Sequence, residues 1–460
     1  MTEVAERVLV PFAGPGSGVG ELSWGQQVIW RGIELSGGEP SILTGRALLA
    51  EGATVDEVAE VLSYLMSRHQ SLRTRLRRDD DDHVLQVVYS SGEHYLEIVD
   101  APDDADGLEF SFALMDEYEK APHDCFTDWP IRMTVVRQRG VPAYRVMSMC
   151  HLTSDAFGML TMLKDLGDWD PLTGLAKEPL ITSKPPVTAM EPLEQAQWQC
   201  SPAGVRRSAM AEKYWERLLR AIPPRRFPES TDKREPRGGI VIYDSPATLL
   251  AIQSIAARTQ TDTSPVLLAA YAVAVARVSG FNPVVPRVFV NNRFRGRLAD
   301  TVSPVAQTCT CLIDVGNITF DEAVKRALVA SISAFKNAYF KPVRIREVLA
   351  AVCEERGEEV DLGCVYNDRR LVAPREATAT LPEPADVQAA LAKSELSWEE
   401  RTEEAADPFH VHIRESLDSV NVLVVTDSHY VAPGDVERIL REMEAITVAA
   451  AFNPDLPTGV

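Results

Sequence analysis

His151 and Asp155, within the run Ser148-Met149-Cys150-His151-Leu152-Thr153-Ser154-Asp155-Ala156-Phe157, are the residues whose types and spacing best suit chemistry. Tyr144 to Cys150 reads as an apolar strand, and Ser154 is placed to cap a helix carrying Phe157, Leu160, Leu163 and Leu166 on one side. An imidazole at the end of that strand and a carboxylate at the mouth of the helix suit acyl transfer in which the protein supplies no nucleophile. A His-x-x-x-Asp pair also fits a structural histidine beside an ordinary helix start, because helix N-termini favour aspartate. Its surroundings decide between the two.

Other nucleophile chemistries fit less well. The chain has no Gly-x-Ser-x-Gly elbow, and Cys150, next to His151, should face the opposite side of the strand and pack rather than attack. The seven cysteines are scattered and include no Cys-x-x-Cys; Cys309-Thr310-Cys311 alone cannot supply a tetrahedral zinc site. Free thiols and no structural metal are expected.

The elements that must position these residues can be traced by periodicity. Pro11 to Gly20, rich in glycine and proline, reads as a flexible lead-in; no Lys-Ser or Lys-Thr follows its glycines, so it is a poor phosphate loop. Val55, Val58, Ala59, Leu62, Leu65 and Met66 keep helical spacing behind a Thr54/Glu57 capping box, and this helix delivers Arg68 and His69 at its end. Arg73–Arg77 and Val84–Tyr89 read as strands joined by the acidic loop Asp79–Asp82. Trp169 to about Pro202 is irregular and proline-rich, which sets an expected division into a lobe at 1–175 and a second at 176–460. In the second, Ser264-Pro265 opens an apolar helix and Pro283–Val290 reads as a buried strand. Asn291-Asn292-Arg293 follows, and a strand is expected at Thr310–Val315. His410–Ile413 and Val420–Thr426 form a strand pair before a closing helix from Asp435 to Ala450.

A length of 460 residues, 45% of them hydrophobic, allows two cores. A net charge of −20 argues against nucleic acid as a partner. No apolar run approaches the ~20 residues that span a bilayer, and the start, Met1-Thr2-Glu3-Val4, lacks the features of a secretory signal; a cytoplasmic protein without membrane contact is expected. Basic residues crowd Arg206 to Arg237, either as a solvated helix face and loop, the simpler reading, or as a docking surface for an acidic partner.

Three motifs in order, Leu22-Ser23-Trp24-Gly25-Gln26-Gln27-Val28-Ile29-Trp30, Arg68-His69-Gln70-Ser71-Leu72-Arg73-Thr74 and His151 to Ala156, resemble the opening motifs of the condensation domains of nonribosomal peptide synthetases. Pro122-His123-Asp124-Cys125-Phe126 resembles, in part, the segment that precedes an inner strand in that family. The resemblance implies an α/β (α+β) fold of two chloramphenicol acetyltransferase-like lobes in a V around a central tunnel. It further implies amide or ester formation between a thioester on the phosphopantetheine arm of an acyl or peptidyl carrier protein and a small-molecule amine or alcohol, with no cofactor bound by the domain itself.

By this resemblance His151 is the catalytic residue, acting as a general base or as a positioning group, and Asp155 pairs with Arg68 to hold its loop, with Arg73 a further support. Cys150, Ala156, Asn291 and Asn292 are candidates to line the tunnel; Asn291 and Asn292 fit a simple turn equally well. Two departures stand out: Cys150 and Ala156 replace a histidine and a glycine of the family's motif. With Val460 soon after the closing helix, a freestanding enzyme that meets an acidic carrier in trans is expected, the Arg206–Arg237 segment guiding it. The alternatives are a coenzyme A-dependent acyltransferase of the same fold and a catalytically silent recruitment module.

Overall fold

A computed structural model describes residues 2–167, 186–370, 381–399, 407–414 and 416–460. They form two compact units, one of residues 1–208, 291–307 and 340–342, the other of 209–290, 308–339 and 343–460. The expected division at 175/176 falls outside the described residues; Pro192–Cys200, expected as irregular linker, is a helix of the first unit, which also takes back residues 291–307 and 340–342.

The first unit opens with strands β1 (Glu6–Ala13) and β2 (Gly18–Glu21), helix α1 (Trp24–Leu35), strand β3 (Ile42–Leu48) and helix α2 (Val55–Arg68). Strands β4 (Thr74–Arg78), β5 (Val84–Val88) and β6 (Ser91–Ala101) lead to helix α3 (Gly107–Lys120). Strands β7 (Ile131–Gln138) and β8 (Val141–Cys150) and helices α4 (Ala156–Asp165) and α5 (Pro192–Cys200) follow, and helix α6 (Pro202–Ala221) begins in this unit with most of its residues in the second.

A five-stranded sheet runs β1-β6-β7-β8-β3, and a three-stranded one runs β2-β5-β4. Period-two burial sorts the larger sheet's side chains. Ile131, Met133, Met147 and Met149 pack toward Leu62, Leu65 and Met66 of α2 and Met162 of α4, whereas Val99, Val136 and Val146 pack toward Leu114 and Tyr118 of α3. Helices therefore cover both faces, and β8 ends inside this layered core.

The expected flexible lead-in is instead ordered. Val8, Val10 and Phe12 alternate inward as β1 pairs with β6. Arg73, with a fully buried side chain, donates to the carbonyls of Pro15, Gly16 and Tyr89. Three carbonyl acceptors offset part of the cost of burying that guanidinium. Local glycine content could not reveal an arginine 57 residues away in sequence from the carbonyl it holds.

The second unit carries a seven-stranded sheet, whose strands β9 (Gly238–Ser245), β10 (Arg287–Val290), β11 (Gln307–Thr310), β12 (Cys364–Asp368), β13 (Glu395–Trp398), β14 (Phe409–Arg414) and β15 (Val420–Asp427) run in the order β11-β10-β12-β14-β15-β9-β13. The apolar helix expected at Ser264-Pro265 spans Thr263–Ser279 and is buried nearly all round, and the closing helix spans Pro433–Ala451. The expected strands at Pro283–Val290 and Thr310–Val315 are shorter or displaced, being β10 and β11. Among the described residues no helix is long and apolar enough to cross a membrane.

Candidate functional site

The loop after β8 is buried at every residue but its first. Cys150 donates its N–H to the Pro130 carbonyl and His151 donates its own to Ser41, both at 2.9 Å, which anchors the strand's end. Thr153 turns its backbone N–H and its hydroxyl onto the Cys150 carbonyl at 3.0 and 2.7 Å. Leu152, Thr153, Ser154 and Asp155 are buried, while the His151 ring is partly exposed. Its Nδ1 is buried without a hydrogen-bond partner.

Asp155, not Ser154, is the N-cap of α4; its Oδ1 accepts from the Gly158 N–H at 2.9 Å, while Ser154 turns its hydroxyl to the Asp155 carbonyl. Its Oδ2 accepts from Arg293 Nη1 at 2.9 Å and from the N–H groups of Val305 and Ala306 at 3.0 and 3.1 Å, and Arg293 Nη2 reaches Oδ1 at 2.8 Å. Five donor contacts saturate a carboxylate that has about four lone-pair sites. Asp155 therefore clamps the segment 301–306 to the head of α4 and has no capacity left to orient the imidazole as a triad aspartate does.

The expected pair between Asp155 and Arg68 is not formed. Arg68 Nε lies 2.7 Å from Asp165 Oδ2, at the other end of α4, and His69 Nε2 lies 3.0 Å from the same oxygen. Arg68 leaves the C-terminal end of α2, so it meets the far end of α4, and Arg293 comes to the near end. Arg73 likewise braces the segment at Pro15 and Gly16 and not the loop of His151.

The tunnel-lining candidates divide. Asn292 is fully buried with φ 58°, donates to the Val305 carbonyl at 2.9 Å and accepts from Arg295 Nε at 2.9 Å. Asn291 Oδ1 accepts the Arg293 N–H at 3.0 Å. The turn reading holds for both: the two asparagines shape the bend that presents Arg293. Ala156 is exposed at the first position of α4.

Cys150 is buried on the face away from Met149, with its Sγ 3.7 Å from Cys125 Sγ. An S–H shared between them holds Cys150 below the ordinary thiol value and pushes Cys125 well above it, so the second of the two protons is held more tightly than the first.

Arg293 has no role legible in the sequence alone beyond its place just after Asn291-Asn292. Two glycines belong with it. A Cβ on Gly25 would lie 1.7 Å from the Pro304 carbonyl oxygen, and one on Gly158 would lie 2.3 Å from Ser154 Oγ and 2.9 Å from Arg293 Nη2. The first and third motifs thus meet on the one segment that Asp155 clamps. In the basic stretch, Arg220 pairs with Glu216 and Glu355, Arg234 with Asp232 and Arg237 with Asp427, so the chain itself answers part of that charge.

The condensation-domain family model matches residues 22–359, a span that holds all three motifs and Arg293. The chain belongs to that family. Condensation domains are generally amide-bond-forming acyltransferases of nonribosomal peptide synthesis and work on carrier-protein-bound substrates. The chain is 26% identical over 381 residues to the beauvericin nonribosomal cyclodepsipeptide synthetase of Beauveria bassiana, covering 77% of this chain and 11% of that protein. It spans between 2% and 11% of the length of the curated relatives it matches.

Among solved structures, the condensation domain that mediates chain release from the enacyloxin polyketide synthase matches with a TM-score of 0.66 at 19% identity, over 94% of this chain and 83% of that one. The complex of the X-domain and OxyB from teicoplanin biosynthesis matches at 0.67 and 16%, over 97% and 96%. These likenesses fix the fold as that of condensation domains, which is chloramphenicol acetyltransferase-like.

Proposed function

We propose that this condensation domain transfers an acyl group from a carrier-protein phosphopantetheine thioester to an amine or hydroxyl acceptor, with His151 as the catalytic residue. The observation that carries the reading is a partly exposed imidazole, with an unpartnered Nδ1, on a loop whose next four residues are buried. A thioester is already activated, so the protein must hold the two reactants together, a contribution of up to about 7–11 kcal/mol. It must also manage the proton that the acceptor loses. His151 can accept that proton, an effect of about 10²–10⁴-fold, or hydrogen-bond the tetrahedral intermediate.

Saturation of Asp155 supports a role for it in placement and not in proton relay. Its five donor contacts fix the first turn of α4, and with it the direction from which the loop offers His151.

The deciding experiment is intact-mass detection of acyl transfer from a loaded carrier protein to a panel of amines and alcohols, comparing wild type with His151→Ala. Transfer by the wild type and a loss in the variant of at least about 10²-fold are expected. Equal product from both would remove the imidazole from the mechanism. Transfer from acyl-coenzyme A but not from the loaded carrier would assign the donor differently, and no transfer from either would favour a recruitment role.

A further inference from the structure

Three metal-ligand groups meet on the side of β8 that the proposed acyl transfer does not use. Cys150 Sγ lies 3.7 Å from Cys125 Sγ, and a ring nitrogen of His123 completes a set whose ligand atoms all lie within 4.8 Å of one another. Metal–sulfur bonds of about 2.3 Å at a tetrahedral angle separate two thiolates by about 3.8 Å, so the sulfur pair already has the bite of such a site. Among the described residues this is the only such cluster, and it draws Cys125 and His123 from the loop before β7 and Cys150 from the end of β8.

Two further observations point to a ligand. His123 Nε2 is buried without a hydrogen-bond partner, while Nδ1 lies 3.9 Å from Asp128 Oδ2. That distance is too long for a direct hydrogen bond, but it places a carboxylate beside the second nitrogen, where a ligating histidine usually carries one. His123, Asp128 and Cys150 also line a cavity of about 370 Å³, which offers an entry path and room for a water ligand.

We propose that His123, Cys125 and Cys150 bind a zinc(II) ion, with water in the fourth position. Binding converts both thiols to thiolates and releases two protons to solvent, while the neutral imidazole donates a lone pair; no electron is transferred. The ion would tie the segment before β7 to the residue immediately preceding His151, and the proposal stands whether or not the domain transfers acyl groups.

The test uses the reduced, metal-free, full-length protein titrated with Zn²⁺ and, as a spectroscopic probe, with Co²⁺. A single equivalent should bind, with a near-ultraviolet thiolate-to-cobalt band and visible bands of tetrahedral intensity. Cys125→Ser and Cys150→Ser should each lose the tight equivalent and the thiolate band. Cys150→His should keep the equivalent with a weaker band, which separates loss of a ligand from loss of the fold. Zinc should also protect Cys125 and Cys150, but not the exposed Cys200, from alkylation mapped by mass spectrometry. Failure of the wild type to bind, binding unchanged in both serine variants, or alkylation of Cys125 and Cys150 unaffected by zinc would overturn the proposal.

Discussion

Helix α4 carries an aspartate at each end, and the two ends solve opposite electrostatic problems. Asp155, at the N-terminus, lies where the helix dipole favours an anion; it needs no cation for its own sake, and its Arg293 contact serves to hold a distant segment. Asp165, at the C-terminus, sits where the dipole disfavours an anion, and Arg68 and His69 offset that penalty. One pair positions the loop of His151, and the other fastens α2 to the tail of α4. Both are arginine–aspartate pairs, which is why a motif-based assignment can exchange them.

The largest expected effect separates the two arginines. Arg293→Ala leaves a buried carboxylate facing backbone N–H groups without its counter-charge, and a loss of about 3–5 kcal/mol of stability is expected, together with loss of acyl transfer. Arg68→Ala leaves Asp165 with His69 in a more exposed setting, and a loss of about 1 kcal/mol with near-normal transfer is expected. Denaturant unfolding and transfer rates on both variants check this. Equal damage from the two, or a catalytic defect confined to Arg68→Ala, would break the distinction between clamp and fastening.

A second prediction sharpens the clamp itself. Gly25→Ala forces a methyl group against the Pro304 carbonyl oxygen, a backbone atom that cannot turn away, whereas Gly158→Ala meets the movable ends of Ser154 and Arg293. Both should destabilise by about 1–3 kcal/mol, Gly25→Ala more than Gly158→Ala. Both should lower transfer more than an equally destabilising substitution in the second unit's core, such as Val424→Ala. Thermal melts matched to transfer rates make the comparison, and transfer that follows stability alone across all three variants would show that the 301–306 segment does not set the loop.

These residues also show what was legible in sequence and what was not. The capping box at Thr54 and Glu57, the Asp79–Asp82 hairpin loop, and the apolar helix and closing helix of the second unit follow from local periodicity and capping, and they form as expected. The placement of His151 at a strand end was equally local. The partner of Asp155 was not, because Arg293 lies 138 residues away and only tertiary packing chooses between it and Arg68.

Gly25 and Gly158 look like ordinary glycines until the carbonyl of Pro304 and the guanidinium of Arg293 are in place. The cysteines looked scattered because the folded loop before β7, not sequence spacing, brings Cys125 to Cys150. The expectation of no metal rested on spacing alone.

The smallest expected effect concerns the surroundings of the Asp165 end, where two carboxylates shift in opposite directions. Burial alone would raise Asp165, but His69 and Arg68 outweigh it and hold the group below its ordinary value of 3.8. Its stabilising contribution is therefore complete above that value and is lost as pH falls through the lower, folded value. Glu191 is raised above 4.5 chiefly by burial; one oxygen accepts from the Gln70 N–H at 2.8 Å, and the other has no partner. Its contribution has the opposite sign, complete below 4.5 and lost as pH rises through the folded value. Asp165→Asn should flatten the acid limb of the stability curve and lower the neutral midpoint without changing the slope there. Glu191→Gln, which keeps the acceptor for Gln70, should flatten the decline above 4.5 and raise the neutral midpoint. Unfolding midpoints measured from acid to neutral pH resolve the two. A wild-type decline above 4.5 that survives Glu191→Gln would place its source elsewhere, leaving the Asp165 end held by Arg68 and His69 alone.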